Sequence, residues 1–188
     1  MGHVSYGMLV SLDGFIAAPD GQITLPVPGP QLHRWFNAHQ RDVALSVYGR
    51  RMWEVMRSWG EPDPDRDEIG AQFAREWVRT PKIVCSASMD ASAAGAVLPD
   101  DVTLIGSDAV AALRRIKRET EGEIEVSGAS LAASLGAAGL IDEFAMFTQP
   151  VVLGRGIPYF AAGFLPELRL ISAEVLPDDV VLHRYAPR

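Results

Sequence analysis

Two adjacent arginines directly follow a glycine in residues 47–56, which read VYGRRMWEVM. The segment begins as a β-rich run that closes at Gly49, and a helical pattern follows it. A glycine at this junction lets a ligand approach the backbone closely, and the free N–H groups of a starting helix favour an anion. Arg50 and Arg51 would add planar donors that match phosphate oxygens. The same pattern also fits two arginines on a solvated helix end, so these residues alone leave both interpretations open.

Two further strand ends carry groups that suit a phosphate. Residues 123–140, EIEVSGASLAASLGAAGL, predict a strand, a turn of small residues and then a helix. In residues 82–88, KIVCSAS, Ser86 and Ser88 leave a strand end as exposed hydroxyls. Three such strand ends in one α/β sheet favour a dinucleotide, because ligands lie across the carboxyl ends of strands in these sheets. The G-x-G-x-x-G fingerprint is absent, so an ordinary Rossmann site is not expected.

Hydrophobic periodicity and turn signals predict the elements that must position these residues. Strands are predicted over 4–12, 43–48, 82–85, 102–105, 124–127 and 143–153. Helices are predicted over 31–39, after Gly49, through Ile69, Phe73 and Trp77, over 108–121 with Asp108 as N-cap, and over 130–138. Residues 168–176 and 180–185 predict a terminal hairpin around Pro177-Asp178-Asp179. The sequence therefore predicts one α/β domain over residues 1–188, with a mixed, mostly parallel central sheet, flanking helices and an antiparallel C-terminal hairpin.

Composition narrows the choice of partners and of compartment. The chain has 188 residues, of which 48% are hydrophobic, and its 17 basic residues are outnumbered by 24 acidic ones. This balance argues against nucleic acid as a partner, and no apolar run approaches the roughly 18 residues of a membrane span. The single cysteine, Cys85, can form no internal disulfide, and a core role is favoured over a nucleophile. With no signal-peptide pattern and no metal-ligand spacing among the four histidines, we expect a cytoplasmic protein without a metal.

Three segments carry a resemblance to known families. Residues 47–56 resemble the GR-x-T-W-E segment of dihydrofolate reductases. Residues 11–21, SLDGFIAAPDG, are similar to the SLDG-x-IA opening of the reductase domain in bifunctional riboflavin-biosynthesis deaminase-reductases. Residues 126–160, VSGASLAASLGAAGLIDEFAMFTQPVVLGRGIPYF, resemble that domain's G-x-x-L…GL-(I/V)-DE…PVVLG-x-G-x-P-x-F block. The resemblance implies a dihydrofolate-reductase-like fold, commonly a homodimer, in which NADPH donates hydride to a small pteridine- or pyrimidine-like heterocycle.

The resemblance also implies which residues hold NADPH. The cofactor phosphates would contact Gly49, Arg50 and Arg51, and the adenosine would lie near Ser86 and Ser88. The pyrophosphate would be flanked by Gly128, Ala129, Ser130 and Leu131. The nicotinamide would face the backbone of Ile16 and Ala17. Two positions depart from the pattern. Ala129 stands where a second glycine is often found, and Met52 replaces a threonine that would donate to the phosphates.

The substrate end is specified less clearly. Trp35 and Phe36 could form the floor of a binding site for a flat heterocycle, although two aromatic residues on a helix are also typical of a hydrophobic core. Dihydrofolate reductases carry a carboxylate a few residues before this pair, and Leu32 occupies that position here. Asp13 is the nearest acid in the matched motif and is the candidate for proton relay or substrate orientation. It fits a turn-forming role before Gly14 equally well.

Two other functions fit parts of the sequence. GASLA, residues 128–132, is one residue from the nucleophile elbow G-x-S-x-G, and Ser130, Asp178 and His183 follow the hydrolase order of serine, acid and histidine. This alternative places two of the three residues in a terminal hairpin and leaves the arginines unexplained. The other alternative is a non-catalytic scaffold that binds a nucleotide or metabolite, since fold does not determine function.

Overall fold

A computed structural model describes residues 1–89, 99 and 102–188. The strands are β1 (His3–Ser11), β2 (Phe15–Ala17), β3 (Val43–Gly49), β4 (Lys82–Cys85), β5 (Val102–Ile105), β6 (Glu123–Ser127), β7 (Glu143–Gln149), β8 (Ile157–Pro158), β9 (Leu168–Val175) and β10 (Val181–Pro187). The helices are α1 (Pro30–Asp42), α2 (Arg50–Met56), α3 (Glu68–Arg79), α4 (Ala109–Glu119) and α5 (Ala129–Ala137). A single 3₁₀ turn, Arg57–Gly60, extends α2.

Eight of these strands form one sheet in the order β5-β4-β3-β6-β1-β7-β10-β9. Every pairing from β5 to β7 is parallel. The last two pairings, of β10 with β7 and with β9, are antiparallel. The predicted α/β class, with a mostly parallel sheet and an antiparallel C-terminal hairpin, is confirmed.

Alternate residues of the central strands face opposite sides of the sheet, as the twofold strand period requires. Val47 and Ile83 belong to a core cluster that includes α4 and α5 residues, whereas their neighbours Tyr48 and Val84 pack with α2 and α3. Helices therefore cover both faces of the parallel part of the sheet. This burial on both sides explains why β3 and β4 read as short, nearly continuous apolar runs.

Two differences from the predicted elements lie after the central strands. The strand predicted over 143–153 ends at Gln149, because Pro150 has no N–H to continue the ladder. Beyond it, β2 and β8 form a separate two-stranded antiparallel sheet that the sequence did not predict. Strands of two and three residues are too short to show a period.

The segment before α1 is held by residues that lie far away in the chain. Asp178 and Asp179 both have positive φ, +62° and +56°, as the central residues of a type I′ hairpin turn require. In this conformation Asp178 accepts a hydrogen bond from the Gly29 N–H at 2.6 Å. The Gln149 side chain donates to the carbonyl oxygen of Pro26 at 2.8 Å. These two bonds fix the entry of the chain into α1.

Candidate functional site

A cleft of about 750 Å³ opens at the carboxyl ends of β3, β4, β5 and β6, and we call it the strand-end cleft. Ten of the predicted cofactor residues line it: Ile16, Ala17, Gly49, Arg50, Arg51, Ser86, Gly128, Ala129, Ser130 and Leu131. Parallel strands bring their carboxyl ends to one edge of a sheet, and this is why segments 80 residues apart in the chain meet here.

The floor of the strand-end cleft is backbone rather than side chain. A Cβ atom added to Gly128 would lie 3.6 Å from both Cα and N of Gly49, so the two strand ends run side by side. Gly128 has a φ of +120°, a conformation that favours glycine. It also offers no capping side chain to α5. The first N–H groups of that helix are therefore available to a ligand in the cleft.

Charged side chains stand at opposite walls of this cleft. The Nε atom of Arg50 lies 3.9 Å from a carboxylate oxygen of Glu54, and both side chains are largely exposed. Arg51 has no ion-pair partner among the described residues. Asp108 faces the cleft from the start of α4, where its carboxylate also accepts the Ala111 N–H at 3.3 Å. The arginine side of the cleft is thus suited to an anion.

Cys85, at the end of β4, and the two serines that follow it have different surroundings. Ser86 lines the cleft, whereas Ser88 does not, and the Ser88 N–H donates to the Ser86 hydroxyl at 3.3 Å. Burial raises the pKa of Cys85 to about 11, so its thiol is protonated near neutral pH. This agrees with a core role for Cys85 and not with a nucleophile.

Several lining residues were not predicted from the sequence. Gly106, Ser107 and Asp108 join the cleft at the end of β5, and Met8, Ile23 and Ile157 line its other end. The first three follow the same strand, small residue and helix pattern that identified the other strand ends. The sequence shows this pattern, but it predicts Asp108 only as the N-cap of α4.

A second cleft of about 580 Å³ lies beside the first, and we call it the acidic cleft. Its walls are the loop before α1, the start of α1, the 3₁₀ turn after α2 and the start of α3. Two short segments of the chain contribute residues to both clefts. Ile23 and Val55 face the strand-end cleft, and Val27 and Ser58 face the acidic cleft. The Ser58 hydroxyl donates to the Val55 carbonyl at 3.0 Å, which ties the second segment together.

His33 and Trp59 form the aromatic part of the acidic cleft. Their ring centroids are 5.8 Å apart with the rings edge-on, and the Phe73 ring lies 5.6 Å from His33. Burial lowers the pKa of His33, although the nearby Asp67 carboxylate opposes the shift. The imidazole is therefore neutral at pH 7 and can both donate and accept a hydrogen bond.

Trp35 and Phe36, predicted to floor the substrate, line neither cleft. Both pack against Phe147 of β7, with ring centroids 5.4 and 5.1 Å away. Leu32, at the position where dihydrofolate reductases carry an acid, is fully buried in the same cluster. The structure therefore places the aromatic pair in the core between α1 and the sheet, and Pro30 and His33 are the α1 residues that line the acidic cleft.

Asp13 contacts a loop and does not line either cleft. Its carboxylate accepts the N–H groups of Leu153 and Gly154 at 3.1 and 2.7 Å. The Ser11 hydroxyl also donates to it, at 2.7 Å. The hydrogen bond from Ser11, followed by those from the two backbone groups, lowers the pKa of Asp13. The group is an ionised acceptor that fastens the loop before β8.

The residues of the hydrolase alternative are not assembled into a triad. Asp178 is engaged with Gly29, and the His183 Nδ1 atom lies 3.4 Å from the Thr148 hydroxyl. No hydrogen bond joins Ser130 to either residue within the described part of the chain. Ser130 instead lines the strand-end cleft.

The sheet order and the cleft at its strand ends define an α/β protein with the dihydrofolate-reductase-like fold. The family model of the RibD C-terminal domain matches residues 2–182, and the chain belongs to that family. Among curated proteins, the uncharacterised protein YyaP of Bacillus subtilis (strain 168) is 27% identical over 159 residues. This match covers 81% of this chain and 77% of YyaP.

Solved structures agree on the fold. A riboflavin biosynthesis protein from Shewanella sp. PV-4 superposes with a TM-score of 0.73 at 23% identity, covering 100% of this chain and 99% of that one. The Thermotoga maritima diaminohydroxyphosphoribosylaminopyrimidine deaminase/5-amino-6-(5-phosphoribosylamino)uracil reductase gives 0.68 at 16% identity, and this chain in full covers 57% of its length. Dihydrofolate reductase from Enterococcus faecalis, complexed with NADP(H), gives a TM-score of 0.61 at 15% identity, covering 100% of this chain and 97% of that one.

No helix in the described part of the chain is long and apolar enough to cross a membrane.

Proposed function

We propose that this chain is an NADPH-dependent reductase that transfers hydride to a small heterocyclic, pteridine- or pyrimidine-like substrate. The observation that carries the proposal is the backbone floor of the strand-end cleft, where Gly49 and Gly128 lie side by side below Arg50 and Arg51. Bare backbone and guanidinium groups suit a dinucleotide with several phosphates. Two structural neighbours are reductases by name, and one of them was solved with NADP(H).

Each part of the cofactor has matching residues in the cleft. The pyrophosphate fits at Gly128 and the first N–H groups of α5, and the 2′-phosphate fits at Arg50 or Arg51. Ser86 would contact the adenosine. Ile16 and Ala17, on β2, would face the nicotinamide. NADPH would supply the hydride, and the chain would supply position and electrostatics.

Asp13 takes part in this proposal as a positioning residue. It holds the loop at Leu153 and Gly154, which leads into β8. β8 pairs with β2, and residues from both strands line the proposed nicotinamide end. An ionised Asp13 would thus keep β2 and β8 in place and would not deliver the proton itself.

We also propose that two copies associate through the C-terminal hairpin. β9 is the edge of the large sheet, and Leu170, Ile171 and Val175 on it are 57, 47 and 76% exposed. An open edge with apolar side chains is typical of a surface that pairs with another chain. Sedimentation at several protein concentrations should show a dimer that Val175→Glu weakens, and a monomer at all concentrations would contradict this part.

The first experiment is a fluorescence titration with NADPH and NADH that follows the tryptophans and the nicotinamide emission. We expect saturable binding with NADPH favoured by tenfold or more, since a hydrogen bond to a charged group contributes about 1.5–3 kcal/mol. Binding of neither nucleotide would refute the proposal. Tight NADPH binding, with no oxidation of NADPH across a panel of pteridines and pyrimidines, would favour the non-catalytic scaffold.

A further inference from the structure

The acidic cleft has the shape and walls of a site for a flat ring. Val27, Pro28, Pro30 and the Trp59 indole supply apolar and aromatic surface to its lining. The indole is held from behind by Phe73, whose ring centroid lies 4.7 Å away. It is held from one face by the Arg66 guanidinium, 5.3 Å from the ring centroid. A fixed aromatic ring in a cleft that is also lined by prolines favours stacking of a planar ligand.

Two polar groups in this cleft, the His33 imidazole and the Trp59 indole N–H, lack hydrogen-bond partners among the described residues. The His33 ring nitrogens accept and donate no hydrogen bond within the described residues, and the same holds for the Trp59 indole N–H. His33 is only partly exposed, so solvent serves its nitrogens incompletely. A neutral imidazole and an indole N–H are donors and acceptors of the kind that ring nitrogens and carbonyls of a heterocycle match.

The charge of the cleft is negative. Glu61, Asp63 and Asp67 line it, against one cation, Arg66, among the described lining residues. Arg66 is already engaged, because its guanidinium donates to the carbonyls of Ser58 and Glu61 at 3.0 and 3.3 Å and lies 3.8 Å from the Asp63 carboxylate. The Glu61 carboxylate has no hydrogen-bond or ion-pair partner among the described residues. A phosphate group here would meet unbalanced carboxylates and no free cation.

We propose that the acidic cleft binds the ring of the substrate, and that this substrate is a flat, neutral or cationic heterocycle without a phosphate group. The statement that the bound ring receives the hydride rests on the proposed function. Ser58 of the acidic cleft donates a hydrogen bond to Val55 of the strand-end cleft, so such a ring would lie in a cleft next to the proposed cofactor. The named substrate of the Thermotoga maritima reductase carries a phosphoribosyl group, so the two proteins would differ in substrate.

Matched pairs of probes test the inference directly. 6-Hydroxymethylpterin and riboflavin are each compared with their monophosphate esters, with binding followed by ligand and tryptophan fluorescence at low ionic strength. We expect at least one of the two alcohols to bind, and its phosphate ester to bind at least fivefold more weakly. Trp59→Leu should weaken binding of that alcohol at least tenfold, and Trp59→Phe should keep most of it because a ring remains to stack.

Reversing the charge of one lining residue tests whether the negative charge of the acidic cleft excludes a phosphate. Glu61→Lys should tighten binding of the phosphate ester at least threefold while leaving the alcohol within twofold. Glu121→Lys, the same change at an exposed position between α4 and β6 that lines neither cleft, is the matched control and should alter neither affinity.

Three results would overturn the inference: neither alcohol binds, the phosphate ester binds as tightly as its alcohol, or Trp59→Leu changes neither affinity. The NADPH titration separates this inference from the proposed function. NADPH binding without heterocycle binding refutes the assignment of the acidic cleft and leaves the cofactor assignment standing. Heterocycle binding at Trp59 without NADPH binding refutes the reductase and leaves the cleft assignment standing.

Discussion

The two clefts lie side by side and are built from different materials. The strand-end cleft has a backbone floor at Gly49 and Gly128, with arginines at one wall. The acidic cleft is made of side chains, with the rings of His33 and Trp59 and a rim of carboxylates. A backbone site depends on how strands end in the fold, whereas a side-chain site changes with single substitutions. On the proposed assignment, the first cleft would select the class of cofactor, and the second would select the individual substrate.

The largest effect should come from closing the backbone floor. Gly128→Val would force a branched residue into a φ of +120° and place its side chain against Gly49, so we expect NADPH affinity to fall at least a hundredfold. Gly139→Val is the matched control, because Gly139 has a φ of +67° with no atom within 4 Å of an added Cβ. Both variants should lower the midpoint of thermal unfolding, and only the first should lose NADPH. Equal NADPH affinity in the two variants would contradict the backbone site.

A smaller effect should follow removal of the guanidinium groups. Arg50→Ala and Arg51→Ala should lower NADPH affinity by about tenfold in at least one case, with NADH affinity nearly unchanged, since a hydrogen bond to a charged group contributes roughly 1.5–3 kcal/mol. Calorimetric titration with both nucleotides measures the selectivity. If the preference for NADPH survives both substitutions, the 2′-phosphate is not recognised here.

The smallest effect compares two histidines of the same helix, α1. Burial lowers the pKa of His33 in the acidic cleft. Burial also disfavours the charged form of His39, but its hydrogen bond and attraction to Glu125, 3.1 Å away, outweigh this and raise its pKa. Nuclear magnetic resonance titration should find His33 protonating below, and His39 above, the ordinary value of about 6.5. The reverse order would contradict the contrast between the two environments.

The same pKa shifts have a stability consequence with opposite signs. The His39–Glu125 pair stabilises the fold fully below the unfolded pKa of His39, and this contribution is lost as pH rises through the folded pKa. The neutral His33 contributes to the stability of the fold above its unfolded pKa, and this contribution is lost as pH falls through its folded pKa. His39→Gln should therefore reduce the free energy of unfolding by about 1 kcal/mol at pH 5.5 and by less at pH 8. Urea unfolding at both values measures the difference.

The central strands and the strand-end cleft were predictable because their determinants are local. Strands β4 and β5 have the predicted bounds, Lys82–Cys85 and Val102–Ile105, since each is a short apolar run between polar residues. The strand–glycine–helix pattern at Gly49 and Gly128 marks strand ends, and parallel pairing then brings those ends together. The location of these strand ends does not depend on side chains from distant parts of the sequence.

The residues that were not predicted depend on distant contacts. Trp35 and Phe36 pack against Phe147, which lies more than a hundred positions later in the chain. The acidic cleft is likewise composed of loop residues that carry no period, such as Trp59 and Glu61. Asp13 belongs to a family-like motif, yet its partners, Leu153 and Gly154, are set by the fold. A sequence pattern cannot report these pairings.

The bond between Asp178 and Gly29 has a consequence for how the protein is made. The segment that lines the acidic cleft before α1 is fastened by a residue 149 positions later in the sequence. During translation the glycines of the strand-end cleft emerge well before this residue does. The strand-end cleft can therefore begin to form while the acidic cleft is still open at one side. The Gly29 side of the acidic cleft is fastened only when the hairpin that carries Asp178 folds onto it.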